Sequence, residues 1–336
     1  MMKAMIINEP GGSFESVERE VPQPKDNEVL IKVQACGICH SDMFVKEGGF
    51  PGLEYPRIPG HEVIGIIETV GSDVTQWKKG ERVGVGWHGG HCFQCEPCRR
   101  GDFINCQNAK VAGISYDGGY ATHMTAPHEA LARIPESLDS AEAAPILCAG
   151  ITVFNAMKNS GALAGDLVAV LGVGGLGHLA IQYAAKMGMH TVAISSGDDK
   201  KELAKKLGAH DYINGKAVDT AEALQKMGGA KLILATAPNS KLISSVVDGL
   251  GPNGKLMVVG ADATPMEISP FQLIMGRKSV AGWASGTAMD SEDTLNFSAL
   301  TNSVPMIEKY PLEKANEAYD RMINNEARFR VVLTMD

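Results

Sequence analysis

Two groups of cysteine and histidine carry the chemistry that this 336-residue sequence can do. The tighter group is Cys92-x-x-Cys95-x-x-Cys98 followed by Cys106. Thiolates at this spacing can wrap one tetrahedral zinc ion and leave no coordination position open. Such a closed site cannot take a substrate, so its work is to fold a lobe that lacks a core of its own. Four thiolates on one zinc carry a net charge of about −2, which Arg99, Arg100 or backbone N–H groups would offset. A redox switch and a nucleic-acid-binding zinc knuckle are the rival readings, and the acidity of the chain speaks against the knuckle. The looser group comprises Cys36, Cys39-His40-Ser41-Asp42, His61-Glu62 and Cys148. A catalytic zinc needs three protein ligands and one open position. Spacing alone does not choose among Cys36, Cys39, His40, His61, Glu62 and Cys148.

The third feature is a loop, Gly172-Val173-Gly174-Gly175-Leu176-Gly177. It follows the apolar run Asp166–Leu171 and opens a helical stretch that ends at Gly188. Gly172 permits the tight turn, Gly174 lets backbone approach a pyrophosphate, and Gly177 lets helix and strand pack closely. The helix N-terminus then offers unpaired N–H groups to the anion. Alone the pattern is only a glycine-rich turn; between a strand and a helix it reads as a dinucleotide site. An acidic residue ending the next strand would bind the adenosine ribose and repel an added phosphate. Ser195-Ser196-Gly197 stands there instead, with Lys200 and Lys201 just beyond, which favours NADP over NAD. The opposing reading has Asp198 or Asp199 reaching the ribose while the lysines form a solvated helix face.

These groups need a frame. Residues 1–150 read as β-rich, with strands over Glu28–Val33, Glu62–Val70 and Arg82–Val85 punctuated by Gly and Pro. After residue 150 strands and helices alternate: helix Asp199–Leu207 after strand Thr191–Ser195, then strand Lys231–Thr236, helix Ser240–Leu250, and strands Gly254–Val259 and Ser279–Trp283. That alternation predicts right-handed crossovers and a doubly wound parallel sheet. Helix Leu312–Asn324 and strand Phe329–Leu333 are expected to return to the first domain.

A length of 336 residues suggests two domains with separate cores. Net charge is −8, with 44% hydrophobic and 21% charged residues. That charge makes nucleic acid and anionic membrane poor partners. No apolar run is long enough to span a bilayer, and the start, with Glu9 and Pro10, lacks a signal-peptide core. Seven cysteines, four of them crowded together, fit metal binding in a reducing compartment better than a disulfide framework. A cytoplasmic location is expected.

Gly37-Ile38-Cys39-His40-Ser41-Asp42, Gly60-His61-Glu62, the four-cysteine lobe and the glycine loop occur in this order. Together they resemble the medium-chain zinc alcohol dehydrogenases over essentially the whole chain. The sequence is similar to the cinnamyl-alcohol-type and yeast-type branches, which lack the long insertion of vertebrate enzymes. The resemblance implies an α/β fold: a β-rich GroES-like catalytic domain over 1–150 and 288–336, and a Rossmann cofactor domain over 151–287. It implies two zinc ions per chain. Cys39, His61 and Cys148 would hold the catalytic ion, and Cys92, Cys95, Cys98 and Cys106 the structural one. Glu62 would sit behind the metal, and Asp42 would accept the second ring N–H of His61. Thr152 would contact the nicotinamide and His40 would lie near the pyrophosphate. Cys36 is then an inert buried thiol.

The activity implied is reversible hydride transfer between a small primary alcohol or aldehyde, short-chain or aromatic, and NAD(P). Ser41 would begin a proton relay, its alternative role being a helix N-cap. Family members often end that relay with a histidine where this chain has Phe44. Phe50 and Trp87 are expected to wall the substrate pocket, or else to be ordinary core. His88 and His91 read as a polar loop and His178 as packed. A polyol or formaldehyde dehydrogenase on the same scaffold, and a non-enzymatic zinc-stabilised redox sensor, are the alternative functions. A homotetramer is expected, with a dimer as the alternative.

Overall fold

Largely buried strands open the chain in the computed structural model, which describes residues 1–260 and 263–335. These are β1 (Met2–Ile6), β2 (Glu15–Arg19), β3 (Glu28–Ile38), β4 (Val63–Val70), β5 (Arg82–Val85), β6 (His123–Pro127) and β7 (Leu131–Arg133). Next come the strands β8 (Leu167–Leu171), β9 (His190–Ser195), β10 (Asp211–Asn214), β11 (Ala230–Ala235), β12 (Leu250–Val258) and β13 (Ser279–Gly282). The last two are β14 (Ile307–Pro311) and β15 (Arg330–Thr334). The chain divides into two units, one of Met1–Ile151 with Gly286–Asp336 and one of Thr152–Ser285.

The first unit is built on a seven-stranded sheet in the order β14-β15-β3-β4-β5-β7, with β6 pairing to β3 as well. All its pairings are antiparallel except β14 with β15. Ile31, Val33, Val63, Ile67, Val83, Val85, Val331 and Leu333 fill one core. The register matters for chemistry. Cys36 pairs with Val63 across β3 and β4, and Val331 pairs with Ile38 across β15 and β3. The segment just after β3 therefore lies beside the segment just before β4 and the start of β15. Three stretches distant in sequence meet at one sheet end.

The second unit is a six-stranded, wholly parallel sheet in the order β10-β9-β8-β11-β12-β13. β8 is buried at every residue, as a strand covered on both faces must be. The order reverses direction beside β8, so the loop leaving β8 sits where doubly wound sheets bind ligands.

Several boundaries differ from the sequence reading. The helix expected over Ser240–Leu250 is helical only over Ser240–Ser245. Val246 and Val247 are β-branched, and a short 3-10 turn over Val247–Gly249 follows. β12 starts at Leu250 rather than Gly254, pairing Leu250 with Ala230 before a register shift. Gly251, Pro252 and Gly254 masked that start, since such residues ordinarily mark turns. β10 is short and mixed in polarity and was not read as a strand at all. Near the end, Leu312–Lys314 is a 3-10 turn and the helix is Ala315–Ile323.

Candidate active site

Cys39, His61, Glu62 and Cys148 converge in the first unit, with one donor atom of each within 4.8 Å of the others. Cys39 follows β3, and His61-Glu62 precede β4. Cys148 is delivered by the buried 3-10 turn Ala144–Leu147, which packs on β5. A Cβ on Gly84 would lie 2.7 Å from Leu147 Cδ1, and one on Gly86 2.7 Å from the Leu147 carbonyl. The sulfurs of Cys39 and Cys148 are 3.6 Å apart. Two sulfurs bound to one tetrahedral zinc at about 2.3 Å would be about 3.8 Å apart, so the donor set fits such an ion.

The histidine is aimed by its surroundings. Asp42 Oδ1 lies 3.2 Å from His61 Nδ1. Asp42 Oδ2 accepts from the Cys39 N–H at 2.8 Å and from the Tyr120 hydroxyl at 2.9 Å. His61 Nε2 is buried without a hydrogen-bond partner, as a nitrogen kept for a metal would be. Burial works against the imidazolium, but the adjacent Asp42 carboxylate outweighs it and raises the His61 pKa. The two sulfurs act on each other: the Cys148 thiol lowers the Cys39 pKa well below the ordinary thiol range, and the same contact raises that of Cys148 well above it.

Glu62 is fully buried and pairs with Arg330 of β15. The same guanidinium donates to the Ile38 carbonyl at 3.1 Å. Burial pushes Glu62 up to about 7 against the pull of Arg330. Its Oε2 has no hydrogen-bond partner, and a Cβ on Gly37 would be 1.8 Å from that oxygen. Gly37, Tyr120 and Arg330 are thus site residues that the sequence reading missed. The signal for Arg330 was a lone cation in the apolar run Phe329–Leu333.

Other residues fall around this group. Cys36 is buried and outside it, with burial raising its thiol pKa. Ser41 lies inside the 3-10 turn His40–Asp42, whose N-cap is Cys39, so the N-cap role falls to Cys39 rather than Ser41. His40 is exposed. A file of aromatic rings leads from the donor group: Trp87 is edge-on to His61 at 5.0 Å, Phe50 edge-on to Trp87 at 6.3 Å, and Phe44 edge-on to Phe50 at 6.3 Å. His88 and His91 do not form a polar loop. They stack at 5.2 Å, and His91 stacks in turn on Phe103 at 4.1 Å. Burial takes His88 down to about 4, because an apolar stack disfavours its charge.

Cys92, Cys95, Cys98 and Cys106 form the second donor group. Their sulfurs approach to 3.6 Å (Cys106 to Cys92) and 3.8 Å (Cys95 to Cys106), the spacing of a filled tetrahedron. Charge is offset by donors from the backbone: Cys92 N and Asn108 N each reach Cys106 Sγ at 3.3 Å, and Cys95 N reaches Cys92 Sγ at 3.4 Å. The side-chain amide of Asn108, which donates to Cys92 Sγ at 3.5 Å, is the main cause that brings the Cys92 thiol down to about 6. Arg100 is spent on Glu96 at 2.8 Å, so the offset expected of it comes from amides instead.

In the second unit the glycine loop leaves β8. Gly172 has φ +105°, and a Cβ on Gly177 would stand 1.9 Å from the Gly172 carbonyl oxygen. A Cβ on Gly174 meets nothing within 4 Å, so that stretch is open to a ligand. Gly175 and Leu176 complete the turn, Leu176 capping the helix Gly177–Lys186. The Thr236 hydroxyl of the loop after β11 donates to the Leu171 carbonyl at 2.9 Å. Buried His178 braces the loop, its Nδ1 2.9 Å from the Gly174 carbonyl. Ser195 ends β9 and Ser196 follows it, and Lys200 Nζ donates to the Val173 carbonyl at 3.0 Å. Thr152 is buried on the helix Ala149–Lys158, one turn beyond Cys148.

Comparison with known proteins gives a consistent picture. A model for the alcohol dehydrogenase GroES-like domain matches residues 25–136, and one for zinc-binding dehydrogenases matches residues 175–300. An alcohol dehydrogenase of Penicillium expansum is 45% identical over 333 residues, covering 99% of this chain and 97% of that protein. One from Geobacillus stearothermophilus is 40% identical, covering 99% of each. The structure of a cinnamyl alcohol dehydrogenase from Sorghum bicolor superposes with a TM-score of 0.89 at 32% identity, covering 99% of this chain and 98% of that one.

Replacing Arg330 by Met would strand Glu62 as a buried carboxylate without its counter-charge. The expected cost is about 3–5 kcal/mol of stability, read by chemical denaturation. Adding Glu62→Gln should recover much of it, and an unchanged midpoint in Arg330→Met would show that the pair does not hold the sheet end together.

Proposed function

We propose, because this chain belongs to the zinc-type medium-chain alcohol dehydrogenases, that the Cys39–His61–Cys148 group is where it oxidises alcohols or reduces aldehydes. The observation that carries this assignment is the buried, unpartnered His61 Nε2 facing two sulfurs 3.6 Å apart. With both thiols ionised, two thiolates and the Asp42 and Glu62 carboxylates face the single guanidinium of Arg330. A divalent cation would offset most of that surplus, which a buried site cannot leave bare.

A bound zinc supplies Lewis acidity toward the alcohol or aldehyde oxygen, and a bound nicotinamide accepts or supplies the hydride. The chain does the rest. Asp42 orients the His61 ring through Nδ1, so that Nε2 is the nitrogen left for a metal. Glu62 stands beside Cys39, His61 and Cys148, held by Arg330. Cys92, Cys95, Cys98 and Cys106 close a second, structural site. Ser41, two residues after Cys39, is assigned to take the proton from substrate. Phe44 has no group to receive it, so onward transfer from Ser41 would need water or another group.

The file of Trp87, Phe50 and Phe44 supports aromatic primary alcohols as substrates, since flat apolar walls bury a ring well and offer nothing to a polyol. Ser195, Ser196 and Lys200 support NADP, with Gly172, Gly174, Gly175, Leu176 and Gly177 cradling the pyrophosphate. Thr152 and His40 are assigned to the same cofactor. Seven free cysteines, six of them in the two donor groups, support a reducing, cytoplasmic setting. No single helix among the described residues is long and apolar enough to cross a membrane. A homo-oligomer, tetramer or dimer, is supported by the open edge of β13 and by the exposed Phe271, Ile274 and Met275 in the segment before it. Sedimentation should show an assembly larger than one chain, and a monomer at micromolar concentration would remove that part of the proposal.

Elemental analysis should find two zinc ions per chain. Cys39→Ser should lose one of them and at least about a hundredfold in turnover while keeping the wild-type circular dichroism. Cys98→Ser should instead lower the melting temperature. Wild-type activity in Cys39→Ser would reject the assignment. A steady-state screen should rank benzyl or cinnamyl alcohol above ethanol and sorbitol, with NADP preferred to NAD. Faster turnover of sorbitol or formaldehyde would favour the polyol or formaldehyde reading.

A further inference from the structure

The turn after β9 sends its charges to opposite sides of the strand. β9 lies between β8, which leads into the glycine loop, and β10, which lies at the outer edge. Lys200 reaches the β8 side, where its Nζ meets the Val173 carbonyl of the glycine loop. Asp198 goes the other way: Asn214 Nδ2 at the end of β10 donates to Asp198 Oδ2 at 2.9 Å. Asn214 sits opposite Ser195 in the register of β10 with β9. Its amide is oriented, because Oδ1 accepts the Lys216 N–H at 3.1 Å and so leaves the NH2 end for Asp198. Two more bonds fix the turn itself. Gly215 N donates to the Ser195 carbonyl at 2.8 Å, and the Tyr212 hydroxyl donates to the Gly197 carbonyl. The neighbouring acid, Asp199, folds back on the turn, its Oδ1 3.0 Å from where a Cβ of Gly197 would be.

We infer that Asn214 is a positioning residue for cofactor choice, holding the Asp198 carboxylate on the β10 side and out of the pocket where Ser195, Ser196 and Lys200 would meet a ribose 2′-phosphate. The inference rests on the NADP reading given above. A carboxylate swung toward that pocket would repel the phosphate, yet it would be a good acceptor for an unsubstituted ribose diol. Releasing Asp198 therefore weakens NADPH and strengthens NADH. The pair is exposed, so water screens it and the effect is modest.

The test measures binding apart from turnover. The zinc-loaded full chain is titrated with NADPH and with NADH, following nicotinamide fluorescence, for wild type, Asn214→Ala, Asp198→Asn and the double variant. In Asn214→Ala the ratio of the NADH Kd to the NADPH Kd should fall roughly fivefold. Asp198→Asn should keep the wild-type ratio or raise it. In the double variant the ratio should return to that of Asp198→Asn, since no carboxylate is left to release. An Asn214→Ala effect of the same size in both backgrounds, or an equal weakening of both cofactors, would mean that Asn214 only supports the turn and would overturn the inference. The premise is read separately. Wild type binding NADH more tightly than NADPH, with Lys200→Ala changing neither, removes the NADP reading and the inference with it. A wild-type preference for NADPH with a background-independent Asn214 effect removes the inference alone.

Discussion

A crowd of ionisable groups in a buried place is the constraint from which the first unit is organised. Cys39, Cys148, Asp42 and Glu62 stand together with Arg330 as the one guanidinium in contact. Burying like charges is costly unless each is paired or bonded. The sheet answers this by geometry. Antiparallel pairing of β3 with β4 and of β15 with β3 brings His61, Glu62 and Arg330 to the end of β3, where Cys39 begins. Gly37 is required there because any side chain would enter the space of the Glu62 carboxylate. Asp42 serves both as acceptor for the Cys39 N–H and as orienter of His61. One residue thus couples the turn's backbone to the ring's direction.

The parts of the site readable from sequence were those whose ligands share a short stretch. Cys92, Cys95, Cys98 and Cys106 sit within fifteen residues, and a tetrahedron is implied by spacing alone. The glycine loop was readable for the same reason, since strand, turn and helix follow one another. Cys148 has no companion motif; it joins Cys39 across 109 residues only because the 3-10 turn before it seats on β5. Family resemblance supplied it where spacing could not. Arg330 and Tyr120 were invisible because their partners are distant in sequence and their roles are to neutralise and to hydrogen-bond. His88 and His91 were misread because polarity suggested solvent, whereas stacking on each other and on Phe103 buries them. The fold class followed from periodicity, but β10 and the start of β12 did not, because glycine, proline and polar residues sit inside those strands.

The second unit handles charge differently. Its glycine loop offers open backbone at Gly174 and a close helix approach at Gly177. Selectivity then depends on which side chains lean over it. Lys200 bonds to the loop and Asp198 to Asn214, so the acid in the sequence is present without being available. Composition of the turn alone, Ser195 to Lys200, could not distinguish those two arrangements, because they differ only in the direction of one carboxylate.

The far-flung origin of the first unit's donors also bears on how the protein matures. The four-cysteine lobe closes over 14 residues between Cys92 and Cys106, so its donor group is complete while later segments are still on the ribosome. Glu62 reaches its counter-charge only once residue 330 has been synthesised and β15 has paired with β3. The two donor groups are therefore completed in a set order as the chain is made, the local one first. A nascent chain paused before β15 would hold the lobe formed and the second ligand cluster electrostatically unfinished.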